Sequence, residues 1–99
     1  MLIVTGSVRA RPERIARLLE LSIEHVHRSR LEPGCLVHSV HRDAEDESRL
    51  VFLDHWTDAD ALRAHLAVPA SIDFVREAAA LSMTAPEMSI NAAEPTSVS

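Results

Sequence analysis

The chain of 99 residues has no lysine and no tyrosine, and it has only one cysteine, two glycines and three aromatic residues. Because Cys35 is alone, an internal disulfide is excluded and a reducing cytosol is favoured. The two glycines, Gly6 and Gly34, are too far apart to form a glycine-rich phosphate-binding loop. Few aromatic side chains and a formal charge of −5 argue against nucleic-acid binding, which needs stacking surfaces or a basic face.

Long apolar runs are missing as well. The first residues have neither the cationic start of a secretory signal nor the roughly 20 apolar residues of a membrane span. We therefore expect a cytoplasmic protein with no membrane partner. The length suits one domain with one core, so a small-molecule site is expected at the edge of two layers or is completed by a second subunit.

Hydrophobic periodicity predicts the element order β-α-β-β-α-β. The predicted strands are residues 2–10, 35–41, 49–56 and 86–93. A first helix begins at Pro12 and ends near Arg30, with its apolar face on residues 15, 18, 19, 22, 23 and 26. A second helix, opened by a capping box of Thr57 and Asp60, ends near residue 67, and a third covers residues 71–81. The charged residues 42–48 are predicted to form a loop, and residues 94–99 a flexible tail after a domain of residues 1–93.

This order is typical of the ferredoxin-like α+β fold, in which helices cover one face of an antiparallel sheet. In the third strand Val51 and Leu53 alternate with Leu50 and Phe52, so both faces of the sheet carry apolar side chains. An apolar sheet face without cover usually marks an interface. We therefore predict a homodimer that packs two sheets face to face.

The most informative segment lies between residues 50 and 74. An apolar strand ends in Asp54 and Trp56, an acidic turn follows, and the next helix carries His65 before a later Pro69 and Phe74. This order resembles the antibiotic biosynthesis monooxygenase family of small dimeric α+β barrels. The resemblance covers nearly the whole chain and implies a cofactor-independent monooxygenase that oxidises a small aromatic phenol or quinol with O₂.

The resemblance implies that His65 is the base or proton shuttle and that Asp54 is the carboxylate that orients it. Asp54 and Trp56 are two residues apart on a strand and share one face of the sheet. If that face is turned away from the helices, no site forms. The alternative interpretation is structural, with His65 bonded to a backbone carbonyl and Asp54 bonded to His65 or to the backbone.

The same resemblance places Trp56, Phe52, Leu66 and Phe74 in the walls of a substrate pocket. His38 would bind a substrate oxygen. An indole at the end of a strand more often fills the core than lines a pocket, so the core is the alternative role of Trp56. We predict neither a metal nor another cofactor. His25 and His27 diverge by roughly 200° on a helix, and His38 and His41 lie on opposite faces of a strand.

Two other functions fit the same sequence. One is a non-redox isomerase that moves a proton on a small metabolite, and the other is a non-catalytic dimeric barrel for ligand binding or stress response. Consumption of O₂ separates the monooxygenase from the isomerase, and thermal stabilisation by a ligand without turnover would favour the binding barrel.

Overall fold

Four strands form one sheet in the computed structural model, which describes residues 1–98. The strands are β1 (Leu2–Arg9), β2 (Cys35–Asp43), β3 (Asp46–Trp56) and β4 (Glu87–Ala92). Their order in the sheet is β2-β3-β1-β4, and each neighbouring pair is antiparallel. The predicted ferredoxin-like α+β fold is confirmed.

Three α-helices pack against this sheet. Helix α1 (Ile15–Ser29) follows a 3₁₀ turn at Pro12–Arg14, and α2 (Ala59–Ala67) and α3 (Pro69–Leu81) connect β3 to β4. The longest helix has 15 residues, and none within residues 1–98 combines the length and apolar character needed to cross a bilayer.

The boundaries of α2 and α3 differ from the prediction. The N-cap of α2 is Asp58 and not Thr57, because the Asp58 side chain accepts a hydrogen bond from the backbone N–H of Ala61 at 2.8 Å. Helix α3 begins at Pro69, only two positions after the end of α2. A proline at this position is favourable because the first turn of a helix leaves backbone N–H groups unpaired in any case.

The prediction of a loop at residues 42–48 is wrong. Strands β2 and β3 continue through it and leave only Ala44 and Glu45 between them. Asp43 closes this turn by accepting a hydrogen bond from the Glu45 backbone at 2.8 Å, and it also pairs with Arg49 at 2.9 Å. Charged residues are compatible with strands here because they pair with each other on an accessible part of the sheet.

The register of the sheet decides which side chains face the helices. Asp54 of β3 lies opposite Val4 of β1 on one side and His38 of β2 on the other, and all three are buried. Because side chains alternate along a strand, Val51 and Leu53 point to the opposite, open face. Two apolar clusters fill the space under the helices, one around the fully buried Leu18 and Leu50 and the other around Trp56.

The end of the chain has no regular structure where it is described. Residues 94–98 are exposed and form neither helix nor strand. Ser99, the last residue of the predicted tail, lies outside the described residues.

Candidate active site

Three buried histidines from three different elements meet beneath the helical layer. His25 of α1, His38 of β2 and His65 of α2 are each exposed by only 4 to 6%. Their ring centroids are 5.2 to 5.5 Å apart, and one nitrogen from each ring lies within 4.8 Å of those of the other two. We call these residues the histidine cluster.

His25 lies on the buried face of α1. Leu18 and two serines, Ser22 and Ser29, lie on the same face and are also buried. The hydroxyl of Ser22 donates to the carbonyl of Leu18 at 2.7 Å, and that of Ser29 donates to the carbonyl of His25 at 2.6 Å. Because the helix satisfies its own hydroxyls, α1 packs closely on the sheet and carries His25 into the site.

His65 is oriented by Glu32, which lies in the turn between α1 and β2. Its Nδ1 donates to Glu32 Oε1 at 2.8 Å, and the Glu32 side chain is only 15% exposed. The expectation that Asp54 orients His65 is therefore wrong. A carboxylate accepts the Nδ1 proton, so His65 presents the lone pair of Nε2 on the other edge of the ring.

Asp54 faces the histidine cluster but bonds to its own strand neighbour. Its Oδ2 accepts a hydrogen bond from the indole Nε1–H of Trp56 at 2.6 Å, and His38 Nε2 lies 4.0 Å away from the same oxygen. Burial raises the pKa of Asp54, and the hydrogen bond from Trp56 opposes that rise.

Trp56 packs in the core. It is not among the described residues that line the large cavity beside the histidine cluster, which is described below. Its side chain is fully buried with Val4 and Leu62, and its ring lies 4.6 Å from the ring of His65 at an angle of 33°. Of the two roles expected for Trp56, this burial fits the core and not the wall of the cavity. The indole instead packs against the ring of His65 and donates a hydrogen bond to Asp54.

A cavity of about 530 Å³ adjoins the histidine cluster. Its volume is suitable for a small organic ligand. All three cluster histidines and Asp54 contribute to its surface, as do the predicted residues Phe52, Leu66 and Phe74. Exposed apolar side chains also border it and mark its mouth, namely Ile72, Val75 and Met88.

Burial keeps two rings of the cluster, His25 and His38, from taking up a proton. Desolvation, together with repulsion from His38, His65 and Arg28, lowers the pKa of His25 to about 3. The same desolvation, with repulsion from His65 and Arg30, lowers the pKa of His38 to about 4. Both rings are therefore neutral near pH 7 and offer one N–H and one lone pair each.

The neighbour of His25 fixes its tautomer. The guanidinium of Arg28 lies 2.7 Å from His25 Nδ1. A guanidinium only donates hydrogen bonds, so Nδ1 accepts and the proton of His25 is on Nε2. The cluster thus combines a donor on His25 with an acceptor on His65, an arrangement suited to moving a proton and stabilising the resulting anion.

A smaller cavity of about 320 Å³ lies on the other side of His65. It is lined by the turn of Glu32, Pro33 and Gly34 and by residues before, along and after α2, namely Thr57, Asp58, Ala61, Ala64, His65 and Val68. His65 therefore borders both cavities, and its partner Glu32 borders the smaller one.

Two residues of the site, His25 and Glu32, were not predicted from the sequence. A signal for His25 exists, because Leu18, Ser22, His25 and Ser29 recur at i, i+4, i+7 and i+11, which identifies one face of a helix. Glu32 had no comparable signal, because its turn shows where the chain reverses and not which side chain it approaches.

Comparisons with known proteins agree with this architecture. The sequence model of antibiotic biosynthesis monooxygenases matches residues 1–77. The crystal structure of an antibiotic biosynthesis monooxygenase is similar with a TM-score of 0.89 at 30% identity, covering 96% of this chain and 100% of that chain. A candidate antibiotic biosynthesis monooxygenase from Deinococcus radiodurans gives a TM-score of 0.92 at 26% identity, covering 100% of this chain and 99% of the other.

A sequence relative is longer than this chain. The uncharacterized protein sll1783 of Synechocystis is 28% identical over 76 residues, which are 77% of this chain and 52% of that protein. This chain thus spans about half the length of the curated relative it matches.

Proposed function

Because this chain belongs to the antibiotic biosynthesis monooxygenase family, we propose that it is a cofactor-independent monooxygenase that oxidises a small aromatic phenol or quinol with O₂. The observation that carries the proposal is the His65–Glu32 pair, which adjoins a mainly apolar cavity of about 530 Å³. An apolar cavity accommodates an aromatic ring and excludes bulk water.

In the proposed first step His65 removes the phenolic proton. Its Nε2 is free to accept because Nδ1 donates to Glu32 at 2.8 Å. The carboxylate of Glu32 then stabilises the imidazolium, as the acid does in other acid–histidine pairs. Glu32 also borders the smaller cavity, which offers the proton a way out that avoids the substrate.

In the same step His25 stabilises the phenolate. Arg28 holds the His25 proton on Nε2, so that His25 is a donor to the developing oxyanion. The ring of His25 stacks on Phe74 at a centroid distance of 4.2 Å and an angle of 10°, which limits its rotation. We propose that Phe52, Leu66 and Phe74 hold the flat substrate and that His38 contributes a second polar contact.

The oxidation needs no external reductant. A ring carbon of the phenolate adds to O₂, forming a C–O bond and a hydroperoxide. Loss of water from this intermediate leaves a quinone carbonyl. One oxygen atom enters the product and the other leaves as water with the two hydrogens that the substrate loses, so the substrate supplies all four electrons.

We also propose a dimer, because the open face of the sheet still carries apolar side chains. Val51 and Leu53 of β3 point to this face, together with Ile3 of β1. Packing two such faces together would remove them from water.

The first prediction concerns His65. With 1,5-dihydroxynaphthalene as the probe, the protein is expected to consume one O₂ for each hydroxynaphthoquinone formed, above the rate without protein. His65→Gln is expected to lower kcat by at least about 100-fold, because general-base catalysis contributes that much or more. An oxygen electrode and the quinone absorbance measure both quantities.

The matched control is His27→Gln, since His27 is exposed on α1. This variant is expected to keep the wild-type rate. Full activity of His65→Gln would remove His65 from the mechanism. Conversion of substrate without O₂ uptake would favour the isomerase, and thermal stabilisation by phenols without any conversion would favour the binding protein.

A further inference from the structure

We propose that the histidine cluster is a binding site for a divalent late first-row transition metal ion such as Zn²⁺ or Co²⁺. This inference goes beyond the proposed oxidation, because it requires neither a substrate nor oxygen. It rests on three imidazoles that a helix, a strand and a second helix bring to one point. Sites built on regular elements hold their ligands more precisely than sites on loops.

The spacing of the three rings is close to that of a metal centre. Bonds of about 2.1 Å at tetrahedral angles separate two ligand nitrogens by about 3.4 Å. One nitrogen of each cluster ring already lies within 4.8 Å of the others. The ring planes are inclined to one another by 52° to 77°, so the three rings do not stack on one another. Small side-chain rotations would close the remaining gap.

Two further features of the histidine cluster are typical of the surroundings of a bound metal ion. Histidine ligands commonly donate their second N–H to a carboxylate, and His65 Nδ1 does so to Glu32. His38 is only 4% exposed, and its Nδ1 has no hydrogen-bond partner among residues 1–98. Buried polar atoms without a partner are rare and ask for an explanation. A bound ion would orient this ring and use its lone pair.

Arg28 competes with a metal ion for the lone pair of His25. Its guanidinium keeps the proton of His25 on Nε2, so either Arg28 turns away and the proton moves to Nδ1, or Nδ1 itself becomes the ligand. Arg28 is only half-buried, and its buried Nε has no partner among the described residues. Displacing this side chain therefore breaks few contacts. A variant without the guanidinium is expected to bind metal more tightly than the wild type.

The donor set and the cavity define the kind of ion. Neutral imidazoles suit Zn²⁺, Co²⁺, Ni²⁺ and Cu²⁺ better than Mg²⁺ or Ca²⁺, which prefer oxygen ligands. The cavity leaves room for a fourth ligand, as in zinc sites with three protein ligands. If the proposed function is correct, the ion also occupies the lone pair of His65 and so inhibits oxidation.

The test measures metal binding directly. Protein stripped with a chelator is titrated with Zn²⁺ in a calorimeter and with Co²⁺ under visible spectroscopy. We expect one ion per chain, with cobalt bands typical of four-coordination. His38→Gln is expected to weaken binding at least 10-fold, and Arg28→Gln to strengthen it several-fold, whereas the control His27→Gln leaves it unchanged.

A second measurement avoids unfolded variants. In the wild-type protein, imidazole ¹⁵N resonances of the histidine cluster are expected to shift with Zn²⁺, while those of the exposed His27 and His41 stay in place. Substoichiometric binding, equal affinity in His38→Gln, or shifts confined to the exposed histidines would overturn the proposal. Turnover assayed in the presence of a chelator tests the proposed function separately, so the failure of either idea is recognised without the other.

Discussion

Glu32 belongs to neither a helix nor a strand, yet it determines which nitrogen of His65 faces the cluster. The 2.8 Å hydrogen bond places the proton of His65 on Nδ1, and the side chain of Glu32 is largely withdrawn from solvent. A partly buried carboxylate interacts more strongly with an imidazolium than an exposed one does, because screening by water is weaker. The proposed base therefore depends on a residue outside every predicted element.

The prediction at this scale is that Glu32→Gln lowers kcat by about 10- to 100-fold with KM within about twofold of the wild type. The amide oxygen can still accept the Nδ1 proton and hold the ring, but the charge that stabilises the imidazolium is lost. Steady-state oxygen uptake measures both constants, and Glu24→Gln on the exposed side of α1 is the control. An unchanged kcat would show that Glu32 only positions the ring.

The turn between α1 and β2 is the element in which a substitution would disturb the site most. Gly34 has φ +83°, and a Cβ at this residue would lie 2.5 Å from the Cβ of Ala61 and 2.7 Å from Thr57 Oγ1. The Gly34 carbonyl also accepts a hydrogen bond from the backbone of Thr57 at 2.9 Å. This close approach of the turn to α2 brings Glu32 next to His65.

We accordingly predict that Gly34→Ala destabilises the protein by about 2–4 kcal/mol, from the left-handed backbone and the overlap with α2. Urea unfolding followed by circular dichroism measures the change. Gly6→Ala is the matched control, because the nearest atom to its Cβ would be the Glu87 carbonyl at 3.4 Å. Equal midpoints for the two variants would contradict the argument.

At the scale of the whole molecule, the two faces of the sheet have different roles. The helices, the two apolar clusters and the proposed site occupy one face. The other face carries Val51 and Leu53 of β3, which is one of the two central strands of the sheet. A dimer through this face would leave the cavity under the helices of each subunit.

The corresponding prediction is that the wild type is a dimer at micromolar concentration and that Leu53→Arg weakens the dimer by at least about 100-fold, since an unpaired charge is costly in an apolar interface. Sedimentation velocity over a concentration series measures the equilibrium. Ile23→Arg on the exposed side of α1 is the control and is expected to remain dimeric. A monomeric wild type would refute this assembly.

The sequence predicted the type and order of the elements well, because hydrophobic periodicity is a local property. It also placed Asp54 and Trp56 on one face, since strand side chains alternate with a period of two. The errors were local too: pairing of Asp43 with Arg49 allowed strands where a charged loop was expected. Asp58 replaced Thr57 as the cap because its carboxylate reaches the free N–H of Ala61.

The site itself was only partly accessible to sequence reasoning. His65, His38 and the apolar wall residues were identified through the family resemblance, and they do adjoin one cavity. His25 and Glu32 were not predicted, and the sequence left open whether Trp56 lines the pocket or fills the core, where the structure buries it. Each of these depends on which residues of other elements lie within a few ångströms.

By itself, then, the sequence determined the periodic features: which segments are helices or strands, and which side chains share a face of each. Only the tertiary structure decided which faces meet. The packing of α1 and α2 on the sheet brings the three histidines together, and the turn at Gly34 gives His65 a glutamate partner where an aspartate was expected. The physical reason is that backbone geometry repeats along one element, whereas contacts between elements depend on how all of them fill a common core.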